Sequence, residues 1–211
     1  MRGLLIFLGW LLAWLVLCVL GLYAFIFDVW RIPVDDPLLA ASVEPTLQAG
    51  DLVVIVRRSS VTRGILVRCD DPDAPGRFVV ARAIARGGDR IEVRNDLVSV
   101  DGRPLKHSRD CSKAQASVFD PRTGSEASLV CSMEDYGDFP FGTLRSLESS
   151  EPTVTDTVAA ARWFLVSDDR HVHLDSRDFG PIDPRTCQHI VFRLVGPSGI
   201  GDSDRRFQPI W

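Results

Sequence analysis

The opening stretch limits what the rest of this chain can be. From Gly3 to Phe27, 25 successive residues carry no charged side chain. As a helix rising about 1.5 Å per residue they would reach roughly 37 Å, enough to cross a hydrocarbon layer of about 30 Å with some tilt. The apolar region of a cleavable signal is shorter, about 7–15 residues. Residues 1–30 are therefore expected to form a retained, single-pass anchor in contact with membrane lipid. Arg2 and the amino terminus supply the positive flank that stays in the cytoplasm, and Asp28, Trp30 and Arg31 follow on the exit side, with Trp30 suited to the interface. The bulk of the chain should then lie outside the membrane.

Charge narrows the partners. A formal net charge of −4 argues against nucleic acid as a partner. All but Lys106 and Lys113 of the 24 basic residues are arginine, so an amine base has few candidates. Cys18 falls in the anchor, leaving Cys69, Cys111, Cys131 and Cys187 as an even set where disulfides can form. Cys111 and Cys131 flank one polar segment and are the first pair to expect, with four buried thiols as the alternative.

Beyond the anchor the pattern is mostly β. Short apolar or β-branched runs stand at Leu52 to Arg57, Ile65 to Cys69, Arg77 to Ala85, Arg90 to Arg94 and Leu97 to Val100, separated by Gly, Pro, Asp and Asn. Residues 106–158 turn polar over a length too great for a bare loop in a compact domain, which predicts an inserted subdomain. The strand signal returns at Arg162 to Val166 and at His189 to Val195. The expected organisation is a core of 31–105 and 159–197 around that insertion. Residues 198–211 read as a loosely ordered tail.

Three blocks carry the chemistry. Ser42-Val-Glu-Pro-Thr-Leu-Gln-Ala-Gly-Asp51 sets a serine on a proline-constrained loop just after the anchor. Ala81-Arg-Ala-Ile-Ala-Arg-Gly-Gly-Asp89 ends a strand in a turn and leads to the hairpin-like Leu97-Val-Ser-Val-Asp-Gly-Arg-Pro-Leu105. Val166-Ser-Asp-Asp-Arg-His-Val-His-Leu-Asp-Ser-Arg-Asp-Phe-Gly-Pro181 packs acid, base and imidazole into one turn-rich stretch.

In this order behind one anchor, the blocks resemble the type I signal peptidases, and Asp175 to Gly180 is the most specific piece of that resemblance. It implies a membrane-bound serine endopeptidase that removes signal peptides from exported preproteins, with no cofactor. The fold it implies is an N-terminal transmembrane helix followed by an antiparallel β-sheet peptidase domain with an inserted cap subdomain. The site would sit on the outer face of a bacterial cytoplasmic membrane and select small residues before the cleavage point.

Residue by residue, the resemblance places Ser42 at the nucleophile, with its own N–H in the oxyanion hole. Ala40 and Ala41 stand where the family often has a serine hydroxyl and a glycine, so Ala40 offers no side-chain donor, and one lost donor can cost a factor of about 10² to 10³ in rate. Arg82 and Asp168 are expected to pair, as are Asp175 and Arg177.

The departure lies at Ala81. The family's general base is a lysine at this position, and Lys106 and Lys113 are not expected to reach back. His173 falls where the bacterial family has a serine pointing into the site. The expectation is that its imidazole takes over as base to Ser42, with Asp175, or else Asp168, to orient it. Two other readings remain. His171 and His173 with Asp168 or Asp169 could bind a metal, or Ser42 has no base and the protein is a degenerate accessory or preprotein-binding relative.

Overall fold

A computed structural model describes residues 2–136, 140–149 and 151–210. Met1, 137–139 and Ser150 of the insertion, Trp211, and the side chains of Arg2, Leu4, Leu5, 107–110, Ser112 and Lys113 lie outside the described residues.

Helix α1, Arg2–Ile26, is exposed at each described side chain, including Trp10 and Trp14, and Ile6–Ile26 is long and apolar enough to cross a membrane. Strand β1 (Phe27–Arg31) follows without a break, where only interfacial flanking residues were expected. A short helix α2 (Pro37–Ser42) precedes β2 (Leu52–Val56), β3 (Leu66–Asp70), β4 (Phe78–Arg86), β5 (Arg90–Arg94), β6 (Leu97–Val100) and β7 (Arg103–Pro104). The polar segment forms β8 (Lys106–Asp120), β9 (Ser125–Asp135), β10 (Pro140–Arg145) and β11 (Val154–Thr157). The chain then runs through β12 (Trp163–Val166), a one-turn helix α3 (Ser176–Phe179), β13 (Cys187–Val195) and β14 (Gln208–Pro209).

The described strands pair antiparallel, with one isolated parallel bridge between Leu144 and Asp169. The main sheet runs β1-β2-β13-β3-β4-β12, with β14 on β13. Strand β4 is buried from Val79 to Ala85 on both faces, as its continuous apolar sequence dictates. On one side Ile32, Leu39, Val53, Ile55, Leu66 and Val80 form a core, and on the other Val67, Val79, Ala81, Ala83 and Leu165 form a second.

The insertion is less self-contained than expected. Strands β10-β9-β8 make their own sheet, but β11 leaves it to pair with β5 beside β6 and β7. The two pieces are also sewn together, since Leu144 N–H donates to the Asp168 carbonyl (2.9 Å) and Arg170 N–H to the Leu144 carbonyl (2.7 Å). The Arg170 guanidinium meets Glu134 of β9 at 2.7 Å, with both side chains buried.

The carboxy-terminal segment is docked rather than loose. Phe192 and Arg193 pair with Pro209 and Gln208, Ile210 N–H donates to the Val191 carbonyl, and Arg205 meets the buried Asp51 at 2.8 Å. A polar composition hid this, because the tail is held by backbone pairing and one ion pair. Disulfides join Cys111 to Cys131, the expected pair, and Cys69 to Cys187 across β3 and β13.

Candidate active site

Helix α2 begins where Asp36 caps it, its carboxylate accepting from Leu39 N–H at 3.1 Å with Pro37 in the first turn. Six residues later the helix ends on Ser42, which is fully buried. Its hydroxyl donates to the Leu39 carbonyl at 2.9 Å, and its own carbonyl accepts from Asp169 N–H at 3.2 Å. A serine bonded back to the preceding turn is held by its own helix. Val118 of β8 and Leu129 of β9 pack on the neighbouring Ala41, so the insertion's first hairpin lies over this helix.

Beside it stands a reciprocated polar cluster. Arg82 of β4, nearly fully buried, donates Nε to Asp168 at 2.7 Å and Nη1 to the Gly64 carbonyl at 2.8 Å, and its guanidinium lies 4.1 Å from the centre of the Phe141 ring. The other Asp168 oxygen accepts from the Thr46 hydroxyl at 2.5 Å. Gly64 has a left-handed φ of 84°, and a Cβ there would lie 2.5 Å from the Tyr136 carbonyl oxygen. No other residue fits this close approach.

Asp175 and Arg177 pair as expected, through Nε at 3.0 Å and Nη2 at 2.8 Å. Asp175 also caps α3 and accepts from Ser167 N–H at 2.7 Å. Burial alone would raise this carboxyl, but the Arg177 charge and hydrogen bonds, the His173 ring and the Ser167 N–H hold it well below the usual range.

His173 is buried too, but its ring is engaged away from Ser42. Nδ1 lies 2.9 Å from Asp178 and Nε2 3.3 Å from Glu151. Arg122, in the turn of the β8–β9 hairpin, donates to the His173 carbonyl and stands 3.4–3.5 Å from both ring nitrogens. Both ring nitrogens are thus taken up by neighbouring charged side chains, whereas a general base needs a bare nitrogen at the hydroxyl. The carboxylate at its Nδ1 is Asp178, not Asp175 or Asp168, both of which serve arginines. Ala81 is buried among Val67, Val79, Ala83 and Leu165, with no titratable neighbour in that cluster. Lys106 lines a cavity of about 900 Å³ with Arg63, Arg103 and Asp135.

The family model for signal peptidase, peptidase S26, matches residues 7–191. The chain belongs to this family. It is also 26% identical over 162 residues to Signal peptidase I V of Bacillus subtilis (strain 168), an alignment covering 75% of this chain and 83% of that relative. Membership carries peptidase activity and signal-peptide removal as the family's chemistry, and with it an N-terminal helix of membrane-spanning length.

Several residues of this family member's site had no clear signal in sequence. Arg122 and Glu151 come from the polar insertion, where nothing distinguishes them from solvated neighbours. Asp178 was legible only as the fourth residue of an Asp-x-x-Asp capping pattern. Asp169 is the least expected. One of its oxygens accepts from His171 and Val172 N–H, and the other is buried without a partner. Burial, reinforced by Glu44 and Asp96 and opposed by those two N–H donors, pushes its carboxyl up to about 8.

The group His173, Asp175 and Asp178 gathers three metal-type ligands within 4.8 Å. Both Asp175 oxygens are already bonded to Arg177 and the Arg122 cation lies against the ring, so the donor set does not fit a bound cation. Asp168 and Asp169 do not join the two histidines in a ligand set among the described residues.

Proposed function

We propose that this protein is a preprotein-binding member of the signal peptidase family in which Ser42 is not served by a base. It is held by α1 as a single pass in a bacterial cytoplasmic membrane, with the β domain on the outer face. Exported preproteins with small residues near the signal junction would add as an extended strand along the site edge. The observation that carries this reading is the Ser42 hydroxyl itself, whose one hydrogen bond among the described residues runs to the Leu39 carbonyl. A peptide carbonyl is no proton acceptor at ordinary pH, and hydroxyl attack requires one. Two disulfides support an oxidising compartment outside the cytoplasm.

A second reading has one specific observation in its favour. Two of the groups that engage His173, Arg122 and Glu151, belong to the insertion, so displacing that element would loosen the ring. In that state His173 would act as base to Ser42, with Asp175, Arg177, Arg82 and Asp168 supporting the site. The test is incubation of the full chain, in detergent, with a model preprotein carrying alanines before its junction, alongside a fluorophosphonate probe. The first reading expects binding without cleavage and no label on Ser42. Cleavage lost in both Ser42→Ala and His173→Ala would sink it and establish the second.

A further inference from the structure

Away from the candidate site, a cleft of about 300 Å³ opens beside the end of the anchor helix, lined by Arg57, Arg68, Arg185, Asp70, Phe78 and Gln188. Its depth along the sheet follows from the register. Arg57 N–H donates to the carbonyl of Ile26, the last residue of α1, and Val56 pairs with Phe27. His189 pairs with both Val56 and Val67, which brings the start of β13 and strand β3 to the same end. Arg58 reaches back over the Phe25 ring of the anchor at 4.4 Å. With α1 crossing the bilayer, this cleft lies at the headgroup level.

Its charge is unbalanced at the centre. Arg68 is 8% exposed, sandwiched against Phe78 at 4.5 Å and Trp30 at 5.0 Å, and donates to the Gln188 side-chain oxygen. It forms no ion pair among the described residues. Burial pulls its guanidinium below the ordinary value, with Asp28 and Asp70 acting against that from a distance. Arg57 and Arg185 flank it with only surface partners, Asp28 at 3.4 Å and Asp183 at 2.6 Å, and the Arg185 side chain is 88% exposed. Asp28 and Asp183 answer the two flanking arginines at the rim, and Asp70 lines the cleft, so the cation left without an ion pair among the described residues is the buried Arg68, in a space the size of a headgroup. A buried cation without a counter-charge is costly, and a planar guanidinium with free N–H groups suits phosphate oxygens.

We propose that this cleft binds the phosphate of an anionic phospholipid, seating the β domain on the bilayer surface. The inference rests on α1 being a membrane anchor, but not on whether Ser42 is active. The full chain in nonionic detergent is titrated with short-chain phosphatidylglycerol, phosphatidylcholine or inorganic phosphate, and bound lipid is read by native mass spectrometry. Phosphatidylglycerol should bind at least about tenfold more tightly than phosphatidylcholine. The Arg57→Gln/Arg185→Gln double variant, altered at exposed positions, should lose that preference to within about twofold while keeping its thermal midpoint. Equal binding of the two lipids, or an unchanged preference in the double variant, would overturn the site. Inorganic phosphate bound with no preference among lipids would overturn the lipid as its source. Release of the protein from membranes by an alkaline carbonate wash would separately remove the anchor reading.

Discussion

Two buried polar clusters lie side by side and differ in completeness. Around Arg82, Asp168 and Thr46 each described bond is answered, by another side chain or by the Gly64 carbonyl. Around Ser42 the hydroxyl turns to its own helix, and the imidazole of His173, from the same block as Asp168, faces two carboxylates. Ion pairs that hold the sheets in register can outlast the groups that move protons. A buried pair destabilises the fold when broken, whereas a missing base leaves no packing defect.

Ala81→Lys should break this contrast most sharply. If the site lacks only a base, restoring an amine should raise preprotein cleavage by a factor of about 10² or more, read as initial rate per folded protein. No gain with the protein still folded would mean that more than the base has been lost. Next in size is the reciprocated cluster. Asp168→Ala leaves the Arg82 cation buried against a methyl, and urea denaturation should show a loss of about 3–5 kcal/mol. A loss below about 1 kcal/mol would show that the pair is dispensable.

Asp169, whose N–H holds the Ser42 carbonyl, sharpens the comparison through pH. Its folded carboxyl holds a proton up to about 8, whereas the unfolded one releases it near 3.8. Between those values the folded state binds the extra proton, so this group's contribution to stability is present at low pH and is lost as pH rises toward 8. Asp169→Asn should flatten the fall in thermal midpoint across that window. Asp175 acts with the opposite sign, since its depressed carboxyl supports the fold above the ordinary carboxylate range and loses that support on acidification. The smallest effect is expected at the hairpin turn. Arg122→Ala should cost about 1 kcal/mol, seen as faster amide exchange over 118–126, with Ser42 still unlabelled; labelling that appears in this variant would favour the reading in which a released His173 serves Ser42.

Much of the fold was written locally. Strands β5 and β6 fall on the residues their alternation indicates, because one face of each is buried and the turn between them at Asn95 and Asp96 takes left-handed φ values. Strand β1 was hidden because it begins at the last uncharged residue of the anchor, Phe27, and its Asp28, Trp30 and Arg31 read as an interfacial flank. Strands β8 and β9 were hidden by their polar composition, since residues that β9 buries, Ser132 and Glu134 among them, are polar themselves and give no hydropathy period. In the site, the Arg82–Asp168 and Asp175–Arg177 pairs were legible from the resemblance. The direction of the His173 ring was not, since it depends on Arg122 and Glu151, whose positions only the tertiary fold determines.

The bond between Cys69 and Cys187 closes a ring of chain that contains the whole insertion. Secreted proteases that nick an exposed part of that ring would therefore sever the backbone without parting the molecule. Both fragments would travel as one band until a reductant is added, and the damaged protein would stay tethered at its post.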